Sequence, residues 1–140
     1  MKLSPYLTFN GNCGEAFDFY ESVFGGDFAW RGLWAEAPRE MKVAEADKNK
    51  IMHISLPVGD SELAGVDAIG IGEQKGKFKA GNNFSIAIAP DSKAEADKVF
   101  SRLSEGGRVM MEMQDTFWGA YFGTCTDKFG IQWMVNFAKE

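Results

Sequence analysis

The chain repeats itself, and the repeat limits its possible folds more than any other feature. Each half reads strand, helix, Gly-Gly, then three strands. The first helix is expected from Asn12, with Glu15 three residues on as a weak relative of a capping box. Ala16, Phe19, Tyr20 and Val23 then recur at helical spacing, and Gly25-Gly26 ends the run. The second helix is expected from Ser92, with Glu95 completing a capping box. Its stripe is Ala96, Val99, Phe100 and Leu103, closed by Gly106-Gly107. The two stripes superpose at a fixed offset, Ala16 on Ala96 through Val23 on Leu103.

Strands are expected before each helix, at Tyr6 to Asn10 and Asn83 to Ala89, and after each glycine pair, at Asp27 to Leu33 and Arg108 to Gln114. Two more close each half: Ile51 to Val58 and Glu62 to Asp67, then Gly119 to Thr126 and Ile131 to Phe137. The pattern is βαβββ twice, an α+β fold. Each helix has one apolar stripe, so it covers one face of its sheet and leaves the other face for a different use. The halves differ mainly at Trp34 to Lys50, which is long and charged.

Bulk properties exclude several functions. A net charge of −5 without a basic stripe argues against nucleic acid as a partner. No apolar run approaches the ~20 residues of a membrane helix, and Met1 to Pro5 lacks a signal-like apolar stretch, so a cytoplasmic protein without a membrane partner is expected. Cys13 and Cys125 have no metal-type spacing and are expected to be idle thiols.

Four stretches carry a resemblance to a known family: Tyr6-Leu7-Thr8-Phe9-Asn10-Gly11, Lys50-Ile51-Met52-His53, Thr116-Phe117-Trp118-Gly119 and Thr126-Asp127-Lys128-Phe129-Gly130. Together they resemble the PhnB-like branch of the vicinal oxygen chelate superfamily, which includes glyoxalase I, extradiol dioxygenases, fosfomycin-resistance enzymes and bleomycin-binding proteins. The resemblance implies one such domain over residues 1–140, with a first βαβββ module at 1–67, a joining segment at 68–82 and a second module at 83–140. It implies curled mixed sheets around a shared cavity, a small organic ligand and a homodimer, in which modules pair within one chain or across two. Some branch members carry a methyltransferase name, but Gly70-Ile71-Gly72 is a lone glycine match in the joining segment and does not support that chemistry.

Metal enzymes of the superfamily place ligands on the first and last strands of each module. Carried onto this chain, those positions fall at Pro5, Ala64, Ser85 and Met134. Such a site needs imidazole or carboxylate donors converging. These residues do not supply them, so no metal and no cofactor are expected. Alternation in the last strand directs Ile131, Trp133, Val135 and Phe137 to the helix, and Gln132, Met134 and Asn136 to the cavity. In the third strand Met52, Ile54, Leu56 and Val58 are expected in the core, and His53 and Ser55 in the cavity. Leu7 and Phe9 are expected to join them from the first strand, with Ser85 and Ala87 from the fifth.

The resulting lining mixes apolar and polar side chains, as small-molecule sites do. His53, the sole histidine, is the candidate acid or base in an enzymatic alternative. Phe117 and Trp118 are candidates for stacking on a ligand. Trp30 and Trp34 are expected to pack, Glu36, Arg39 and Glu40 to form a solvated loop, and Cys13 to be a quiet residue at a helix start. A metal-dependent lyase or dioxygenase is the third reading.

Overall fold

The computed structural model describes residues 1–70 and 78–138. Part of the expected joining segment, including two residues of the Gly70-Ile71-Gly72 match, lies outside the described residues. The chain divides into two compact units, Met1–Lys79 and Ala80–Glu140.

The first unit runs β1 (Tyr6–Phe9), α1 (Cys13–Phe24), β2 (Trp30–Leu33), β3 (Ile51–Val58) and β4 (Ser61–Asp67). The second runs β5 (Ile86–Ile88), α2 (Lys93–Ser104), β6 (Arg108–Asp115), β7 (Ala120–Thr126) and β8 (Gln132–Ala138). Both sheets have the same order, β1-β4-β3-β2 and β5-β8-β7-β6. In each, the strand before the helix pairs parallel with the last strand, and the other pairs are antiparallel. Two helices and two four-stranded mixed sheets make this the expected repeated βαβββ arrangement.

Each helix buries one stripe on its own sheet. On α1 the buried residues are Cys13, Ala16, Phe17, Tyr20 and Val23. Phe17 takes the place expected for Phe19, which stays half-buried. Phe17 meets Phe9 and Tyr20 edge-on, at centroid distances of 6.2 and 5.4 Å. On α2 the buried residues are Ala96, Val99, Phe100 and Leu103, as the spacing predicts. Each large apolar side chain fully buried in this way contributes about 1.5–3 kcal/mol before entropy is charged.

The two helix N-termini are secured differently. Ser92 Oγ accepts from the Glu95 N–H at 3.1 Å, and the Glu95 carboxylate accepts from the Asp91 N–H at 3.2 Å. This is the expected box, displaced by one residue on its return bond. Asn12 makes no side-chain cap bond. Instead the buried Asp67 carboxylate accepts from the N–H groups of Gly11 and Cys13, both at 2.9 Å, and from that of Ile51 at 2.8 Å. The charge stands where the helix dipole is positive, so burial is compensated by three charge-assisted bonds.

Among the described residues no helix is long and apolar enough to cross a membrane.

Candidate functional site

The helix-free face of each sheet is the candidate site, and strand register decides which side chains occupy it. In the first unit Phe17 lies against Phe9, and a Cβ at Gly65 would come within 2.7 Å of the Phe17 ring. Leu7, Phe9, Gly65 and, by register, Ile54 therefore face α1. The opposite face carries the row Tyr6, Ala64, Ser55 and Trp30, each directly opposite the next across the strands. The neighbouring row contains His53 opposite Gly32.

This corrects two expectations. Leu7 and Phe9, each 3% exposed, are core residues under α1 and do not reach the helix-free face. Tyr6 and Thr8 hold that side of β1, where both are exposed. The first-strand position opposite Ala64 is accordingly Tyr6 and not Pro5. His53 and Ser55 stand on the expected face. Ile54 and Leu56 are fully buried, whereas Met52 and Val58 are half-buried. A shift in the β2–β3 register, from Gly32 opposite His53 to Leu33 opposite Ile51, makes Met52 an extra residue and turns Ile51 into the core.

Tyr6 and His53 form a pair. The Tyr6 hydroxyl lies 3.0 Å from His53 Nδ1, and the rings stack at 5.7 Å with 27° between planes. Burial is the larger cause, and Cys13 the smaller, of a Tyr6 pKa above its ordinary value, so it remains a phenol at neutral pH. Trp30 is exposed and does not pack inward as expected. Its indole Nε1 occupies space 2.9 Å from where a Gly32 Cβ would sit, so only glycine admits it there. Glu36 Oε2 lies 3.6 Å from the same point and accepts from the Leu33 N–H at 2.7 Å. Trp34 does anchor: its Nε1 donates to the Asp67 carbonyl at 3.0 Å, which pins the start of the 34–50 connection. Glu36, Arg39 and Glu40 are exposed in short 3-10 turns.

In the second unit, Trp133 and Val135 are buried towards α2, and Tyr121 reaches Asp97 of α2 with its hydroxyl at 2.5 Å. Alternation places Gln132, Met134 and Asn136 on the helix-free face, opposite Thr126, Thr124 and Phe122. Ala87 lies beside Met134, whereas Ser85 lies just outside β5, which is shorter than the expected Asn83 to Ala89. Gln132 Nε2 donates to the Phe84 carbonyl at 2.7 Å, which ties β8 to the entry of β5. Trp118 packs edge-on against Phe122 at 5.9 Å and against Phe117 at 5.0 Å. Phe117 is 97% exposed and Trp118 58% exposed. Sequence reasoning missed Tyr6 and Phe122 as members of these faces. Their signal was available: each is two residues from a polar neighbour of the same parity, Thr8 and Thr124.

The donor set does not suit a divalent ion. Among the described residues no three of His, Cys, Asp and Glu come together in a way that could hold a metal. The residues at the inherited ligand positions offer a phenol, a methyl, a hydroxyl and a thioether. Both cysteines are free and buried. Burial and then the Asp67 charge raise the Cys13 thiol far above its ordinary value, with Arg31 opposing. Burial and Asp127 push Cys125 up to about 11. A groove of about 310 Å³ in the first unit is lined by Asn10, Asp47, Lys50, Ala68, Ile69, Gly70 and Phe78, none of them an expected site residue.

The whole pattern is that of a known superfamily. Residues 2–135 match the Glyoxalase/Bleomycin resistance protein/Dioxygenase superfamily, and the chain belongs to it. Protein YjdN of Escherichia coli (strain K12) is 29% identical, across 100% of this chain and 97% of that protein. The crystal structure of protein PA1353 from Pseudomonas aeruginosa is 39% identical with a TM-score of 0.86, covering 100% of this chain and 99% of that one. A PhnB protein from Bacillus cereus, described as a putative 3-demethylubiquinone-9 3-methyltransferase, shares the fold at 22% identity and a TM-score of 0.76, over 99% and 100% of the two chains. That shared fold agrees with the resemblance to the PhnB-like branch.

Proposed function

We propose that this chain is a single vicinal oxygen chelate domain that binds a small organic ligand without a metal, on the helix-free faces of its sheets, and that it works as a homodimer. The observation that carries the reading is the makeup of those faces. In the first unit exposed Tyr6 and Trp30 share a face with His53; in the second, half-buried Met134 shares a face with Gln132 and Asn136, with exposed Phe117 and Trp118 in the turn before β7, and no metal donors converge among the described residues. Ser55 stands on the first of these faces but is buried, and Ser85, just before β5, is the further polar candidate. Exposed Trp30, Phe84, Met110, Met111 and Trp118 supply apolar surface that a second copy would remove from water.

Binding is tested by thermal-shift titration against a panel of neutral, cationic and anionic aromatic compounds, with Trp118→Ala and Met134→Ala as controls. A ligand that raises the wild-type midpoint and fails to raise those of the variants is expected. No response across the panel counts against the reading. Elemental analysis is expected to show no stoichiometric divalent ion, and sedimentation equilibrium a mass twice the 15.5 kDa of the chain.

A second reading is an enzyme that uses His53 for proton transfer. The Tyr6–His53 contact favours it, because a catalytic histidine needs an orienting partner. Once a turnover is found, unchanged activity in His53→Ala removes it.

A further inference from the structure

We infer that Tyr6 is a positioning residue that holds His53 as the Nε2–H tautomer, and that this pair with Trp30 recognises a planar, uncharged organic ligand through a carbonyl oxygen. The inference rests on the proposed binding function and names the ligand chemistry of its first unit.

A 3.0 Å separation between the Tyr6 hydroxyl and His53 Nδ1 permits two assignments of the bridging proton. A phenol is a good donor and a poor acceptor, and the unprotonated imidazole nitrogen is a strong acceptor. The favoured bond is therefore O–H donating to Nδ1. The raised Tyr6 pKa is consistent with this, since the hydroxyl keeps its proton. With Nδ1 occupied as acceptor, a neutral His53 carries its proton on Nε2. Among the described residues Nε2 has no hydrogen-bond partner. It can donate to a ligand but has no lone pair with which to take a proton, so a proton-transfer role for His53 would be that of an acid.

A second donor stands on the same face. His53 is directly opposite Gly32, and the Trp30 indole N–H lies over Gly32. Opposed Cβ positions are about 5 Å apart, so the indole nitrogen is within about 8 Å of the His53 Cβ. Two N–H donors thus share one face with the Tyr6 and Trp30 rings, which suit a flat ligand. The Glu36 carboxylate beside Gly32 disfavours an anion. A neutral carbonyl compound satisfies all of these groups.

The sole histidine makes the test direct. Protein labelled with 15N-histidine gives one Nδ1 and one Nε2 resonance. At a pH where the ring is neutral, the expected spectrum shows a protonated Nε2 and an unprotonated Nδ1, and Tyr6→Phe shifts the Nδ1 resonance. A protonated Nδ1, or a Tyr6→Phe spectrum identical to wild type, overturns the tautomer assignment. Tyr6 is 54% exposed, so the variant is expected to fold, and its amide spectrum verifies this. The ligand class is tested with 4-chromanone against chromane, the same ring system without the carbonyl. The ketone is expected to bind about tenfold tighter to wild type, and the ratio to fall towards one in His53→Phe. Equal affinities, or no binding of either, overturn the ligand class. The wider panel then decides independently whether the binding function itself fails.

Discussion

The two units contain the same four strands and one α-helix in the same order, yet they secure their helices by opposite means. In the second unit α2 is capped by its own neighbours, Ser92 and Glu95. In the first, α1 has no side-chain cap of its own and is held by Asp67, 54 residues beyond Cys13. The second unit also buries an aspartate, but Asp127 serves a turn. It accepts from the N–H groups of Phe129 and Ile131 and from the Trp133 indole at 2.8 Å. One duplicated architecture thus accommodates a local solution and a long-range one. The long-range solution ties β4, α1 and β3 into one cooperative knot; the local one leaves α2 to form from its own sequence.

That contrast can be broken at several points. The largest effect is expected from Asp67→Ala, which leaves three backbone donors without their carboxylate and should cost about 3–5 kcal/mol in denaturant unfolding. A loss under about 1 kcal/mol would show that α1 does not depend on it. Asp127→Ala should cost about 2–4 kcal/mol, with the change visible in Trp133 fluorescence.

The glycine pairs sharpen the comparison next. A Cβ at Gly107 would meet the Thr126 carbonyl at 2.2 Å, so Gly107→Ala must displace backbone and should cost about 2–3 kcal/mol. Gly25, at φ 78°, has open space around it, and Gly25→Ala should cost only the conformational strain, about 1–2 kcal/mol. Equal losses would contradict the close approach at Gly107. Ser92→Ala is expected to cost about 1 kcal/mol. Asn12→Ala should change stability by under about 0.5 kcal/mol, because Asn12 makes no cap bond.

The thiols give the smallest effect. Cys125 titrates near 11 in the fold against an ordinary 9.0. The folded state therefore keeps a proton that the unfolded chain releases. The stability linked to Cys125 is complete below about pH 9 and is lost as the pH rises through about 11. Cys125→Ala should flatten that alkaline slope in pH-dependent unfolding. Neither thiol should react with a disulfide reagent at pH 8 until the protein is unfolded, and Cys13 should be the slower of the two in native protein at higher pH.

Much of the architecture was legible in residues 92–107 and 131–137, where signals are local and consistent. Ser92, Glu95 and the Ala96 stripe announce α2, and the alternation of Trp133 and Val135 with Gln132, Met134 and Asn136 announces the two faces of β8. The first unit was less transparent. In Tyr6-Leu7-Thr8-Phe9 alternation pairs Leu7 with Phe9 and Tyr6 with Thr8, but both pairs have apolar surface and nothing local says which side α1 will cover. In β3 a nearly continuous apolar run hid the register shift at Met52. Trp30 looked like a core residue because tryptophan usually is, and its place over Gly32 needs a strand pairing to be seen.

By itself the sequence determined the repeat, the helices and the strand count, because periodicity and capping are properties of neighbours along the chain. Tertiary structure alone decided that Asp67 holds α1, that Leu7 and Phe9 lie beneath it, and that Tyr6, Trp30 and His53 share one helix-free face. These are matters of register between strands far apart in sequence. A one-residue change of register exchanges the two faces of a strand.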